Sequence, residues 1–287
     1  MSVEIYDDRI CQLGEGPLWH PERKQLFWFD IMGKRLLTRD GDTPLEWQFD
    51  EHVSAAGWTG RDTLLVASET GLWHFDVTTG GKTLVCALEA DNPDTRSNDG
   101  RADPWGGFWI GTMGKLHGLK QGAIYRFYKG ELRKIIPDIT ISNTICFNPN
   151  APLAFYSDTV THQIMAQPLN PDTGWPMGAA HVLVDLNEEG LNPDGAVVDS
   201  DGNLWVAEWG AFRVSCYDVT GTRIKTVEAP AEQCSCPAFG GTDLTDLYIT
   251  TAIEDMTDTQ RAAQPGNGKT LIARGVGKGL AEYKVLL

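Results

Sequence analysis

Side chains that carry oxygen recur along this sequence just before short apolar segments. Glu15, Asp99, Asn143 and Asp194 each occupy such a position. An aspartate or asparagine before glycine is also an ordinary turn former, so turn chemistry alone explains any one of them. Glu15 is a poor turn former that stands between two glycines. If these side chains meet in space, their carboxylates repel one another unless a cation neutralises them or their proton affinities rise. Such oxygen donors suit a hard divalent cation.

The spacing of these residues follows an internal repeat. Similar segments begin at positions 15, 56, 99, 143, 194 and 237, so the starts are separated by 41, 43, 44, 51 and 43 residues. Each segment has a small-residue turn, a short strand, a polar turn and a strand rich in β-branched and aromatic residues, and a third strand follows. A unit of this size cannot bury both of its faces alone, whereas a radial arrangement lets each sheet cover its neighbour. The sequence therefore predicts an all-β, six-bladed β-propeller.

Closure of the ring has its own sequence signal. The N-terminal segment VEIYDDRICQ is predicted to add a strand to the last blade and to cover its exposed edge. We expect residues 1–287 to form this single domain. Residues 253–269 are predicted to form a loop near one mouth of the central channel. All six first strands line the channel and begin at the same end, so the residues that precede them should converge on a shared metal site.

Composition and charge limit the classes of partner. A formal net charge of −15 opposes binding to nucleic acid and to anionic membranes, because phosphates would be repelled. No apolar run approaches the roughly 18 residues of a membrane helix, and the first residues do not resemble a secretory signal. The six scattered cysteines are typical of reduced thiols. We expect a cytoplasmic protein, as a monomer or weak homo-oligomer, that binds a small molecule.

Five of the six repeats contain longer motifs. These are LGEGPLW, RSNDGRADPWGGFWIGTM, ISNTICFNP, NPDGAVVDSDGNLW and CPAFGGTDLTDLYITTA. Together they resemble the gluconolactonase/regucalcin (senescence marker protein) family of sugar lactonases. The resemblance implies a six-bladed propeller, in agreement with the repeat count, and the hydrolysis of a sugar lactone (an aldonolactone) to the corresponding aldonic acid.

The resemblance also implies a metal site. Glu15, Asn143 and Asp194 match the metal-binding residues of the family, although Thr144 stands where the family usually has glycine. Ca²⁺ or Mg²⁺ fits the oxygen ligands best, and Mn²⁺, Zn²⁺ or Fe²⁺ stays open.

Substrate contacts follow from a second motif. Arg96 and Asn98 match the substrate-binding pair of the family, so we place Asn98 in the site in preference to its neighbour Asp99. Some members have a glutamate shortly after the Gly-Thr-Met motif. The corresponding segment here offers Lys115 and His117 as substrate-binding candidates and has no acid. The identity of the sugar therefore stays open.

The implied mechanism uses the cation to polarise the lactone carbonyl while water attacks it. Asp194 is the predicted catalytic residue, as the general base that takes the proton of that water. A hydroxide on the ion is the alternative base. Because propellers host unrelated functions, a calcium-binding or scaffold propeller and a propeller phosphotriesterase or arylesterase are the alternative functions.

Overall fold

The computed structural model describes residues 2–287, which form six four-stranded antiparallel sheets arranged as blades. The predicted six-bladed β-propeller is confirmed. The first strand in the chain, β1 (Val3–Asp7), belongs to the last blade.

The first three blades each take four consecutive strands. Blade 1 consists of β2 (Gly14–His20), β3 (Gln25–Asp30), β4 (Arg35–Asp40) and β5 (Thr43–Gln48). Blade 2 consists of β6 (Val53–Gly60), β7 (Thr63–Ser68), β8 (Gly71–Asp76) and β9 (Lys82–Ala87). Blade 3 consists of β10 (Thr95–Ala102), β11 (Phe108–Gly114), β12 (Gly122–Tyr128) and β13 (Glu131–Ile139).

The last three blades complete the ring. Blade 4 consists of β14 (Ser142–Phe147), β15 (Leu153–Asp158), β16 (Gln163–Pro168) and β17 (His181–Asp185). Blade 5 consists of β18 (Asn192–Val198), β19 (Leu204–Trp209), β20 (Arg213–Tyr217) and β21 (Arg223–Glu228). Blade 6 consists of β22 (Cys234–Gly240), β23 (Asp246–Thr251), β24 (Thr270–Ala273) and β1.

The N-terminal strand closes the ring as predicted. β1 pairs antiparallel with β24, with Val3 opposite Ala273, and so covers the edge that β24 would otherwise expose. The inner strands β2, β6, β10, β14, β18 and β22 each contact the inner strands of both neighbouring blades. They therefore surround a common channel.

The hydrophobic core is divided among the interfaces between blades. One buried cluster lies between each pair of neighbouring blades. Large aromatic side chains contribute to each of these clusters. For example, Trp109 meets Phe147 edge-on at 5.4 Å between ring centroids, and Trp205 meets Phe239 at 5.6 Å. Because every blade packs against two others, the ring fixes the inner strands relative to one another.

Helical structure within residues 2–287 is limited to two short segments. A one-turn 3₁₀ helix spans Thr159–Thr161, and α1 spans Asp258–Ala263. The insertion 253–269, predicted as a loop, thus contains a helix, which begins with a capping box formed by Thr257 and Gln260. No helix of the described chain has the length and apolar character to cross a bilayer.

Each inner strand is bulged near its beginning. In four blades the inner strand advances three residues while its partner advances two, at Glu15–Leu18, Ser97–Gly100, Asn143–Cys146 and Pro193–Ala196. The inner strands of blades 2 and 6 shift register at Val53–Ala55 and Cys234–Cys236. A bulge re-aims side chains and increases local twist. These irregularities therefore set the direction of the side chains at one end of the channel, here called the upper end.

The C-terminal segment crosses the opposite, lower end of the channel. Its backbone is tied to blades 2 and 3, because Val285 N donates to Trp58 O and Leu286 N donates to Gly106 O, both at 2.9 Å. Glu282, also on this segment, forms an ion pair with Arg101 of β10. The side chains of Arg101 and Glu282 are 11% and 8% exposed.

Removing the charge of Glu282 should destabilise the protein, because it leaves the Arg101 guanidinium buried without its counter-charge. We expect Glu282→Gln to lower the free energy of unfolding by about 3 kcal/mol, as measured by urea denaturation. Glu188→Gln, at an exposed position, is the matched control and should leave the free energy of unfolding unchanged. Equal stability of both variants and the wild type would show that the ion pair does not hold the C-terminal segment.

Candidate active site

A cavity of about 390 Å³ opens at the upper end of the channel. Glu15, Arg96, Asn98, Asn143 and Asp194 all line it, and each is at most 6% exposed. The side chains come from four different blades, which places the predicted residues in a single concave site. Its volume is suited to a ligand the size of a sugar lactone.

The three other candidates from the sequence are placed differently. His117 lines the cavity from the exposed segment between β11 and β12. Lys115 lies outside the cavity lining, because its Nζ bonds Glu69 Oε2 at 2.9 Å and Pro93 O at 2.8 Å. The buried side chain of Asp99 accepts a hydrogen bond from Ile145 N at 2.6 Å and also lies outside the lining.

Several lining residues were not found from the sequence. Glu254 and Asp255 belong to the 253–269 insertion, whose predicted position near a channel mouth is the signal that could have identified them. Thr159 and Gln233 lie in connections between strands and carried no such signal. The insertion thus adds two carboxylates to the wall of the cavity.

A directed chain of hydrogen bonds links three blades across the cavity. Arg96 Nη1 donates to Asn98 Oδ1 at 2.7 Å, and Asn98 Nδ2 donates to Asn143 Oδ1 at 3.1 Å. Asn143 Nδ2 donates to Thr159 Oγ1 at 2.8 Å, and that hydroxyl donates to Pro193 O at 2.8 Å. Because the Thr159 hydroxyl accepts a hydrogen bond from the amide nitrogen of Asn143, the amide oxygen of Asn143 is oriented towards Asn98. A carbonyl oxygen has two lone pairs, so one stays available for a further partner.

The two carboxylates of the predicted metal set interact unfavourably. Burial, reinforced by the nearby Asp99 carboxylate, raises the pKa of Glu15 to about 8. Burial also raises the pKa of Asp194 well above its usual value, and the charges of Glu15 and Asp99 add to this effect. Burial lowers the pKa of Arg96, against the opposing influence of Glu254 and Glu15. The site therefore favours either protons or a bound cation at its carboxylates.

The residues that follow two of the predicted ligands have left-handed backbone conformations. Gly16 follows Glu15 with φ +54°, and a Cβ there would lie 2.2 Å from Ser54 O, so only glycine fits. Thr144 follows Asn143 with φ +63°, although a β-branched residue seldom adopts this conformation. Strain of this kind costs about 1–3 kcal/mol and persists only where the surroundings impose it.

The donor set fits a hard divalent cation. Two carboxylates and an amide oxygen are the ligand types that such ions prefer, and the cation would relieve the repulsion between Glu15 and Asp194. Within residues 2–287, no three His, Cys, Asp or Glu side chains are grouped so that they could hold a metal ion. A cation here would therefore depend on the Asn143 amide oxygen and on solvent or substrate oxygens to complete its coordination.

The raised pKa of Glu15 predicts that stability falls with rising pH in metal-free protein. Unfolded glutamate loses its proton near pH 4.5, whereas folded Glu15 keeps it up to about pH 8. Between these values the unfolded state binds fewer protons, so increasing pH favours unfolding. The free energy of unfolding, measured with EDTA across this range, should fall in the wild type and fall less in Glu15→Gln. A wild-type curve parallel to that of Glu15→Gln would contradict the assignment.

Comparisons with known proteins match most of the chain to one family. The family model described as SMP-30/Gluconolactonase/LRE-like region matches residues 13–253. A relative from Rhizobium meliloti (strain 1021), whose provisional name is sugar lactone lactonase, is 38% identical over 94% of this chain and 92% of its own length. An L-arabinolactonase from Azospirillum brasilense is 32% identical over 98% of this chain and 94% of its own length.

The fold comparison gives a similar result. A calcium-binding protein, regucalcin, from Agrobacterium tumefaciens has a solved structure that superposes with a TM-score of 0.97. It is 36% identical, and the match covers 100% of this chain and 98% of that chain.

Proposed function

Because this chain belongs to the SMP-30/gluconolactonase/LRE-like family, we propose that its upper cavity binds an aldonolactone and hydrolyses it with the help of a divalent cation. The protein is a sugar lactonase. The observation that carries the proposed site is that Glu15, Arg96, Asn98, Asn143 and Asp194 line one cavity.

The reaction opens a cyclic ester. The oxygen of a water molecule bonds to the lactone carbonyl carbon, the ring carbon–oxygen bond then breaks, and the ring oxygen leaves as a hydroxyl after taking a proton. We assign Asp194 as the group that accepts the proton of the attacking water. Its buried position in the wall of the cavity, beside the other predicted cation ligands, supports this role.

Glu15, Asn143 and Asp194 would hold the cation. When bound, a divalent cation supplies polarisation of the lactone carbonyl and stabilises negative charge that develops on its oxygen. The related structure from Agrobacterium tumefaciens is described as a calcium-binding protein, which supports Ca²⁺ as the first ion to test. Mg²⁺, Mn²⁺, Zn²⁺ and Fe²⁺ are the competing ions.

Arg96 and Asn98 would bind the oxygens of the substrate. Within residues 2–287 the guanidinium of Arg96 is hydrogen-bonded only through Nη1, to Asn98 and to Ser97 O. Its remaining donors are therefore available for hydroxyl or ring oxygens of a sugar in the cavity. His117 would contact the substrate from the rim. Lys115 would reach it only by leaving its partner Glu69.

We also propose that the protein acts in the cytoplasm as a monomer or weak homo-oligomer. All six cysteines are free thiols, which supports a reducing compartment.

Replacing Asp194 by asparagine should remove the proton acceptor and weaken cation binding. We expect kcat/KM for an aldonolactone to fall by about 10²–10⁴ in Asp194→Asn, as general-base catalysis contributes this much. The assay follows acid release with a pH indicator. Asp201→Asn, on an exposed turn of the same blade, is the control. An equal loss in both variants would mean that folding, and not chemistry, is affected.

Chelation tests the need for a cation. EDTA should abolish hydrolysis by the wild-type protein, and added Ca²⁺ or another divalent ion should restore it, because Glu15 and Asp194 lose the counter-charge that keeps them ionised. Hydrolysis rates for a panel of aldonolactones and one phosphotriester, each measured with and without metal, distinguish a lactonase from a phosphotriesterase and from a propeller that only binds calcium. Full lactonase activity in metal-free protein would exclude the cation, and turnover of the phosphotriester alone would overturn the lactonase assignment.

A further inference from the structure

Thr144 combines a costly backbone conformation with a buried polar side chain. It is fully buried, and its φ of +63° lies in the left-handed region that favours glycine. The equivalent bulge of blade 1, after Glu15, has glycine. A β-branched residue here thus needs a compensating interaction.

The hydroxyl of Thr144 makes that interaction with blade 5. Thr144 Oγ1 lies 2.7 Å from Asp194 O and 2.9 Å from Ser157 Oγ. A carbonyl can only accept, so the single hydroxyl proton of Thr144 is donated to Asp194 O, and Ser157 in turn donates to Thr144. Glycine at position 144 would provide neither contact.

Asp194 lies where the inner strand of blade 5 is bulged. The register shifts between Pro193 and Ala196, so the main chain around Asp194 departs from regular pairing. The carboxylate of Asp194 is also repelled by those of Glu15 and Asp99. A hydrogen bond that fixes the Asp194 main chain restricts the direction in which this carboxylate can move away.

Thr144 also follows Asn143 directly. One dipeptide therefore directs an amide into the cavity and a hydroxyl to the main chain of the opposing carboxylate residue. Asn143 itself is oriented by its bond to Thr159, which in turn donates to Pro193 O. Movement of blade 4 against blade 5 would therefore disturb both the hydrogen bond from Thr144 to Asp194 and the hydrogen bond from Thr159 to Pro193.

We propose that Thr144 is a positioning residue that fixes Asp194 relative to Asn143 and so sets the cation affinity and proton-accepting geometry of the site. This role rests on the function proposed above. The hydroxyl is the part of Thr144 that performs it, and the left-handed backbone is the conformation that directs this hydroxyl towards blade 5.

Three substitutions separate the hydroxyl from the branching of the side chain. Thr144→Val keeps the shape and the strain but removes the hydroxyl. Thr144→Ser keeps the hydroxyl and removes the branch. Thr144→Gly removes the hydroxyl and relieves the strain, which provides a folded variant if the valine protein is unstable.

The readouts are Ca²⁺ affinity by isothermal titration calorimetry on the whole chain, kcat and KM for an aldonolactone, and Tm. We expect Thr144→Val and Thr144→Gly to weaken Ca²⁺ binding and lower kcat by about 10–100-fold each, as loss of a supporting hydrogen bond near a metal does. Thr144→Ser should stay close to the wild type in both. KM should change less than kcat, and the valine variant should have a lower Tm than the glycine variant.

Two results would overturn the proposal. A glycine variant with wild-type Ca²⁺ affinity and kcat would show that the hydroxyl is not needed. Equal values for the valine and serine variants, with a change in Tm alone, would show a purely structural role. If the wild type binds Ca²⁺ but hydrolyses no lactone, the proposed function fails, while the difference in Ca²⁺ affinity between the serine and valine variants still tests Thr144.

Discussion

Repulsion between carboxylates buried at one end of a channel is the constraint on which the rest of this structure depends. Glu15 and Asp194 come from opposite parts of the sequence and are held in a cavity where neither is well solvated. Burial raises the pKa of both, the nearby Asp99 carboxylate adds to each shift, and the charge of Glu15 adds to that of Asp194. Such an arrangement lasts only in a rigid frame, and six blades that pack on one another around a closed ring supply it.

The ring alone does not direct these side chains. In blades 1, 3, 4 and 5 the inner strand has one extra residue at an equivalent position near its upper end. This bulge turns the neighbouring side chains towards the cavity. The directed hydrogen-bond chain from Arg96 to Pro193 then fixes the amides between the blades. Fold, bulge and hydrogen-bond chain therefore act at successively finer scales on one site.

Much of this organisation could be predicted from the sequence. The repeat spacing predicted the six blades, and the motifs predicted five of the six inner-strand residues that line the cavity, all except Asn192. Asp99 and Asn98 differ by one position, and only the bulge decides which of them lines the cavity. Lys115 could not be placed, because its pairing with Glu69 joins segments distant in sequence. The outer strands were harder to predict because they are mostly exposed and lack the continuous apolar character of the other strands. Helix α1 was missed because its only sequence signal is a short capping box.

Glu254 and Asp255 have a further consequence for turnover. They share the cavity with Glu15 and Asp194, so its wall is rich in negative charge. A lactone is neutral, whereas ring opening creates an anion, which Glu254 and Asp255 repel while Arg96 on the same wall attracts it. The two carboxylates of the insertion would thus oppose the attraction of Arg96 for the product and ease its release.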